Sequence, residues 1–176
     1  MFGVLTSITL VFATVTGTVA DQPETAKETH CVAFVVGQEK DGELLLSEPD
    51  CFDSETQAQS WAAVGFHEPA TMSAASAGLG GGVVAFSSMT LGIHYDGFNG
   101  TGSSIMVVGS SCSGGYWNTW TSWDNRISSS FNGCARLRHY DLPNKAGTGQ
   151  STYGAGTTDN LLYLNNRTES VSYHSS

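Results

Sequence analysis

Apolar residues in this chain come in short runs separated by turn-forming residues, and only the first run is long. Met1 to Ala20 carries no charge and ends Thr18-Val19-Ala20 before Asp21, a small-residue ending of the kind a signal peptidase cuts, although a basic n-region is missing. Its threonines and glycines argue against a transmembrane anchor. After a polar stretch over 21–30, Cys31-Val-Ala-Phe-Val-Val36 predicts a strand, Gly37 to Gly42 a turn, and Glu43-Leu-Leu-Leu-Ser47 a second strand. Ser54 with Gln57 has capping-box spacing, so a short helix over 57–63 is expected behind it. A region rich in Gly, Ala and Ser over 68–90 reads as a linker, in which Val83-Val-Ala-Phe86 is a possible added strand.

From Leu91 onward the pattern repeats. Ile93-His-Tyr-Asp96 returns as Arg138-His-Tyr-Asp141, and Asp124-Asn-Arg-Ile-Ser-Ser129 is echoed by Asn165-Asn-Arg-Thr-Glu-Ser170. The first landmarks lie 45 residues apart and the second 41, so one unit of about forty residues occurs twice. Between the landmarks, Ile105-Met-Val-Val108 and Leu161-Leu-Tyr-Leu164 predict an apolar strand in each copy. Short strands with Gly-rich turns at this period fit a four-stranded Greek key per copy, two of which bury one core when packed together. The organisation expected is therefore a signal peptide over 1–20, an acidic ββα segment over 21–67, the linker over 68–90 and a repeat domain over 91–176.

Charge separates the two halves. Residues 21–68 hold eleven acidic residues against Lys27 and Lys40, a net −9, whereas 91–176 hold five of each sign. Neither half has a basic patch, which argues against nucleic acid as a partner. Four cysteines, Cys31, Cys51, Cys112 and Cys134, read as disulfides of an exported chain. Three connectivities are open; Cys31–Cys51 with Cys112–Cys134 is preferred because it keeps each bridge inside one segment. No Cys-x-x-Cys pair favours a thiolate metal site.

The repeated motifs resemble the βγ-crystallin family, whose motifs open with a hairpin Tyr-x-x-x-x-aromatic-x-Gly. Its calcium-binding microbial members later carry Asn/Asp-Asn/Asp-x-x-Ser/Thr-Ser. Residues 124–129 match that second pattern throughout, and residues 165–170 match it except at Glu169. Tyr95 to Gly100, with Phe98 between, reads as a hairpin two residues short, and Tyr140 to Gly147 has the full spacing with Lys145 at the aromatic position. The resemblance implies a mainly β protein: a double Greek-key sandwich preceded by a small disulfide-stapled ββα unit. It also implies calcium sites shared between the two motifs, formed by Asp124, Asn125, Arg126 and Ser128 with Asn165, Asn166, Arg167 and Glu169. Calcium takes six to eight oxygens from carboxylates, amides, hydroxyls and carbonyls, which these segments offer. Few carboxylates beside two arginines imply weak binding, and tight-turn chemistry alone also favours Asx residues at such positions.

The expected function is a secreted, monomeric, non-enzymatic protein that binds calcium for stability. The alternative is a metallopeptidase inhibitor or killer-toxin-like binding protein, because the secreted actinobacterial crystallin-like proteins include both. An inhibitor needs a rigid exposed loop, and Cys112 with Ser113-Gly-Gly-Tyr-Trp117 is the candidate. Tyr116, Trp117 and Trp120 are candidate recognition residues for an extracellular protease or a glycan, with core filling as the plainer reading. His94 and His139 share one repeat position, which explains them without a metal. No catalytic motif with coherent spacing occurs.

Overall fold

The structure, a computed structural model, describes residues 27–64 and 88–176. The expected signal peptide and most of the expected linker, with Val83–Phe86, lie outside the described residues. Among the described residues, eleven strands and one helix follow in order: β1 His30–Gln38, β2 Leu44–Leu46, β3 Asp50–Phe52, α1 Glu55–Val64, β4 Met89–Tyr95, β5 Ser104–Gly109, β6 Ser113–Asn118, β7 Ser129–Asn132, β8 Arg136–Tyr140, β9 Gly149–Tyr153, β10 Thr158–Asn160 and β11 Ser170–His174. The protein is mainly β. Its strands form two sheets, one ordered β10-β7-β4-β5-β1-β2 with β3 also on β1, the other β6-β11-β8-β9.

The repeat is visible in the pairing. Strands β4 to β7 come from the first copy and β8 to β11 from the second. Each sheet takes the first, second and fourth strands of one copy and the third of the other. Thus β6 pairs with β11, and β10 pairs with β7.

Alternation along β5 explains why its residues are all buried. Ile105 and Val107 join Cys31 and Ala33 of β1 in the core between the sheets, with Trp117, Leu137, Val171 and Tyr173 from the opposite sheet. Met106 and Val108 face the other way, with Val32 and Phe34, into a second core under Ala58 and Ala62 of α1. A strand covered on both faces reads as an unbroken apolar run, as β1 and β5 do. Ser54 accepts the Gln57 N–H at 3.4 Å and starts α1 where the capping box predicts.

Three expectations change. The N-terminal segment has three strands, and it is built into the larger sheet, because β1 runs parallel to β5 from His30↔Ser104 to Phe34↔Val108. Leu161–Leu164 forms a turn; Leu161 and Leu164 are buried three apart while Leu162 and Tyr163 face solvent, the spacing of a turn and not of a strand. Finally, the first hairpin is not short. It closes at Gly102, where Asp96 N–H donates to Ser103 O at 3.1 Å, just as Asp141 N–H donates to Thr148 O at 3.1 Å. Gly102 (φ 81°) and Gly147 (φ 76°) are equivalent, and at each a Cβ would collide with the preceding aspartate's carboxylate. Both hairpins thus span seven residues from their tyrosine, and Gly100 and Lys145 occupy the aromatic position.

The disulfides are Cys31–Cys51, joining β1 to β3, and Cys112–Cys134, joining the start of β6 to the β7–β8 turn. At the centre of the inter-sheet core, His94 and His139 are fully buried with rings 5.7 Å apart. Ser130 Oγ lies 2.8 Å from His94 Nδ1 and 2.9 Å from His139 Nε2, and Tyr173 OH lies 3.0 Å from His94 Nε2. Donation from Tyr173 to His94, from His94 to Ser130 and from Ser130 to His139 gives each of these three contacts one proton with both rings neutral.

Burial holds both imidazoles below the ordinary 6.5, His139 down to about 3 and His94 well below it, with His139 as a second cause. The unfolded chain then binds more protons than the folded one below pH 6.5, so stability is present above that pH and falls as pH drops. Between pH 7 and pH 5 His139 is expected to remove about 2 kcal/mol, with His94 acting in the same direction, read from urea midpoints. His139→Gln is expected to lower stability at pH 7 yet flatten this slope; a wild-type midpoint flat across that range refutes the neutral pair. Gly147→Ala is expected to cost about 1–3 kcal/mol from strain at a positive φ, and an unchanged melting midpoint would show that the hairpin closes differently.

Candidate metal site

The two Asx-Asn-Arg segments fold into matching loops that face one another. Asn125 (φ 56°) and Asn166 (φ 54°) take the left-handed conformation that asparagine tolerates better than most residues. The loops exchange backbone hydrogen bonds reciprocally: Asn125 N–H donates to Thr168 O at 3.1 Å, and Asn166 N–H donates to Ile127 O at 3.0 Å. Ile127 and Thr168 are fully buried, so each acceptor is anchored beneath its loop. One residue later, Ser128 N–H reaches Tyr95 O and Glu169 N–H reaches Tyr140 O, both at 2.8 Å. Each loop is therefore tied to its counterpart and to the hairpin of its own copy.

Oxygens converge at the first of these junctions. Ser128 Oγ lies 2.8 Å from the carbonyl oxygen of Asp96 and 3.1 Å from Asn166 Oδ1. A hydroxyl supplies one proton, so it cannot bridge two acceptors at once. Either the Asn166 amide turns its nitrogen inward, or a cation sits among the three oxygens and the hydroxyl, keeping its proton, meets it through a lone pair. Beside this junction, Asn165 Oδ1 is buried with no hydrogen-bond partner among the described residues. Asp124 Oδ1 accepts from Thr119 Oγ1 at 3.3 Å. At the equivalent junction stand Asp141, Asn125 and Glu169, the last in place of the serine.

Two ion pairs flank the junctions in the same symmetric manner, Arg126–Asp96 at 2.7 Å and Arg167–Asp141 at 3.3 Å. They neutralise both aspartates nearest the converging oxygens. Among the described residues, no group of three or more His, Cys, Asp or Glu is placed to hold a metal. Donors at this site are therefore hydroxyl, amide and carbonyl oxygens, which suit a hard cation such as calcium. The Ser128 junction fits calcium by its surplus of acceptors, and the Glu169 junction departs from it by a longer side chain.

The fold brings Ser128 into contact with Asn166, while Arg126 and Arg167 turn to Asp96 and Asp141, Asp124 to Thr119, and Asn125 and Glu169 stand at the other junction. The sequence motif does not single out the Asp96 carbonyl, whose place depends on the hairpin. It also gives no role to the last serine of each motif. Ser129 Oγ donates to Gly97 O at 2.7 Å and accepts from Gly100 N–H at 2.9 Å, while Ser170 Oγ donates to Leu142 O at 2.8 Å and accepts from Lys145 N–H at 3.1 Å. Each is a clasp across its hairpin, and its recurrence in both copies is the signal that marks it.

Tyr116 and Trp117 are buried, and Trp120 is half-buried against the core, so only Trp120 of the three candidate recognition residues reaches a surface. Ser113–Asn118 is a strand paired with β11 and not a free loop. His94 and His139 are occupied by Ser130 and Tyr173 in the core. A scan against protein-family models finds no match to this chain, and searches of curated proteins and of solved structures find none either.

Proposed function

We propose that this chain is a secreted, non-enzymatic βγ-crystallin-like protein in which two Greek keys share a calcium-stabilised junction. The observation that carries the reading is the meeting of Ser128 Oγ, Asp96 O and Asn166 Oδ1, three oxygens with one hydroxyl proton among them. The exchange of third strands between the two copies supports the Greek-key reading, because each copy then wraps one strand across to the other's sheet. Two disulfides support an oxidising, extracellular setting.

Ser128, Asp96 through its carbonyl, and Asn166 would hold the ion, with Asn165 and Asp124 close by. Bound calcium supplies positive charge that relieves the repulsion among these oxygens. The chain's own residues do the rest: Asn125 and Asn166 bend the loops, and Ile127 and Thr168 anchor them. Arg126 and Arg167 oppose a second positive charge, so the affinity is weak, with Kd on the order of 10⁻⁵ to 10⁻³ M. Calcium then acts through mass action on the folded state.

In thermal unfolding of the full oxidised chain, millimolar calcium is expected to stabilise by roughly 1–2 kcal/mol over excess chelator, a rise of a few degrees. Ser128→Ala removes the donor and is expected to abolish that rise, whereas Glu169→Ser rebuilds the second junction and is expected to enlarge it. A midpoint indifferent to calcium in the wild type and in Glu169→Ser would make the loops hydrogen-bonded turns without an ion.

A further inference from the structure

A groove of about 590 Å³ lies between the N-terminal segment and the first Asx loop, within the size range of small-molecule sites. One wall is Pro49 and the Cys31–Cys51 bridge, the other Trp120, Trp123 and Arg126, and Asp96 and Gly102 form the floor. The N-terminal side is fixed to the hairpin. Thr29 N–H donates to Ser103 Oγ at 3.2 Å on the floor, and the disulfide ties β1 to β3 behind it.

We propose that this groove binds a neutral, β-linked saccharide chain, with Trp120 as the stacking platform and the Arg126–Asp96 pair reading hydroxyls. Trp120 is half-buried and packs nearly perpendicular to Trp117, with centroids 5.5 Å apart at 76°. A rigid indole with one exposed part suits the flat C–H face of a β-linked sugar. Beside it, Arg126 packs 4.9 Å over the Trp123 ring, donates from Nη1 to Ser122 O at 2.8 Å, and donates from Nη2 to Asp96 at 2.7 Å. The guanidinium has five N–H donors and the carboxylate about four acceptor positions. Neighbouring donors and acceptors held by these contacts match the vicinal hydroxyls of a sugar.

Charge points the same way. The lining carries Lys27 and Arg126 against Glu28 and Asp96, and both cations are paired, Lys27 with Asp53 at 2.7 Å. An anionic ligand finds no uncommitted cation there, and a purely apolar one would strip water from the ion pair at a cost. The groove uses the Asp96 carboxylate, whereas the calcium junction uses its carbonyl, so the two readings stand or fall separately.

The test is isothermal titration of the full oxidised chain, in saturating calcium, with β-linked hexasaccharides of glucose and of N-acetylglucosamine, following tryptophan emission in parallel. Saturable binding to at least one with a change in emission is expected, weakened about tenfold or more in Trp120→Ala. Ser122→Arg, at an exposed position on the rim, keeps the core untouched and is expected to block the groove to the same degree. Absence of saturable binding to either hexasaccharide, or binding that survives both substitutions, overturns the assignment.

Discussion

Neither four-stranded copy can satisfy its own backbone, because the third strand of each is paired in the other's sheet. Buried peptide groups need partners, so β6 and β10 have to cross, and with them the loops that follow each strand. Those loops are the Asx segments. The crossing brings Asn125 to Thr168 and Asn166 to Ile127, and places Ser128 against the opposite loop's asparagine. The oxygen cluster is thus a consequence of strand exchange, and its symmetry follows from that of the copies. Where the copies differ, at Ser128 and Glu169, the two junctions differ.

The N-terminal segment follows from another constraint. A β5 strand with apolar side chains on both faces and an open edge invites unwanted pairing. β1 covers that edge in parallel, and α1 covers Met106 and Val108. The turn before β2 also reaches the second sheet, where Tyr116 N–H donates to Gly42 O at 3.0 Å. Tyr116 OH donates to Asp41 at 3.0 Å, and Asn118 donates to Glu43 at 2.9 Å. The acidity of this segment is partly spent on such contacts with the repeat.

Much of this was legible in the residues. The duplicated His-Tyr-Asp and Asx-Asn-Arg landmarks marked the repeat, and keeping each bridge inside one segment led to the observed pairing. The capping box placed α1. What failed did so for physical reasons. Leu161–Leu164 is apolar enough for a strand, but only its first and fourth residues face the core, and periodicity over four residues does not separate the two cases. Gly100 hid the hairpin's true end because a second glycine, Gly102, lies two residues on, and only the carboxylate of Asp96 decides between them. The role of β1 was invisible because parallel pairing leaves no turn signal between partners. At the candidate site the side chains were legible, and the contributing carbonyl was not.

The pairing of His30 with Ser104 also sets an order of events. Hairpins β4–β5 and β8–β9 close over short stretches of chain, whereas β1 waits for a strand some seventy residues downstream. Long loops close slowly, and non-local pairing lowers the folding rate. As the chain leaves the ribosome or a translocon, its N-terminal strand is made early and seated late. Cys31 and Cys51, 20 residues apart, need only a short loop to meet, whereas the sheet their strand belongs to needs a partner far downstream.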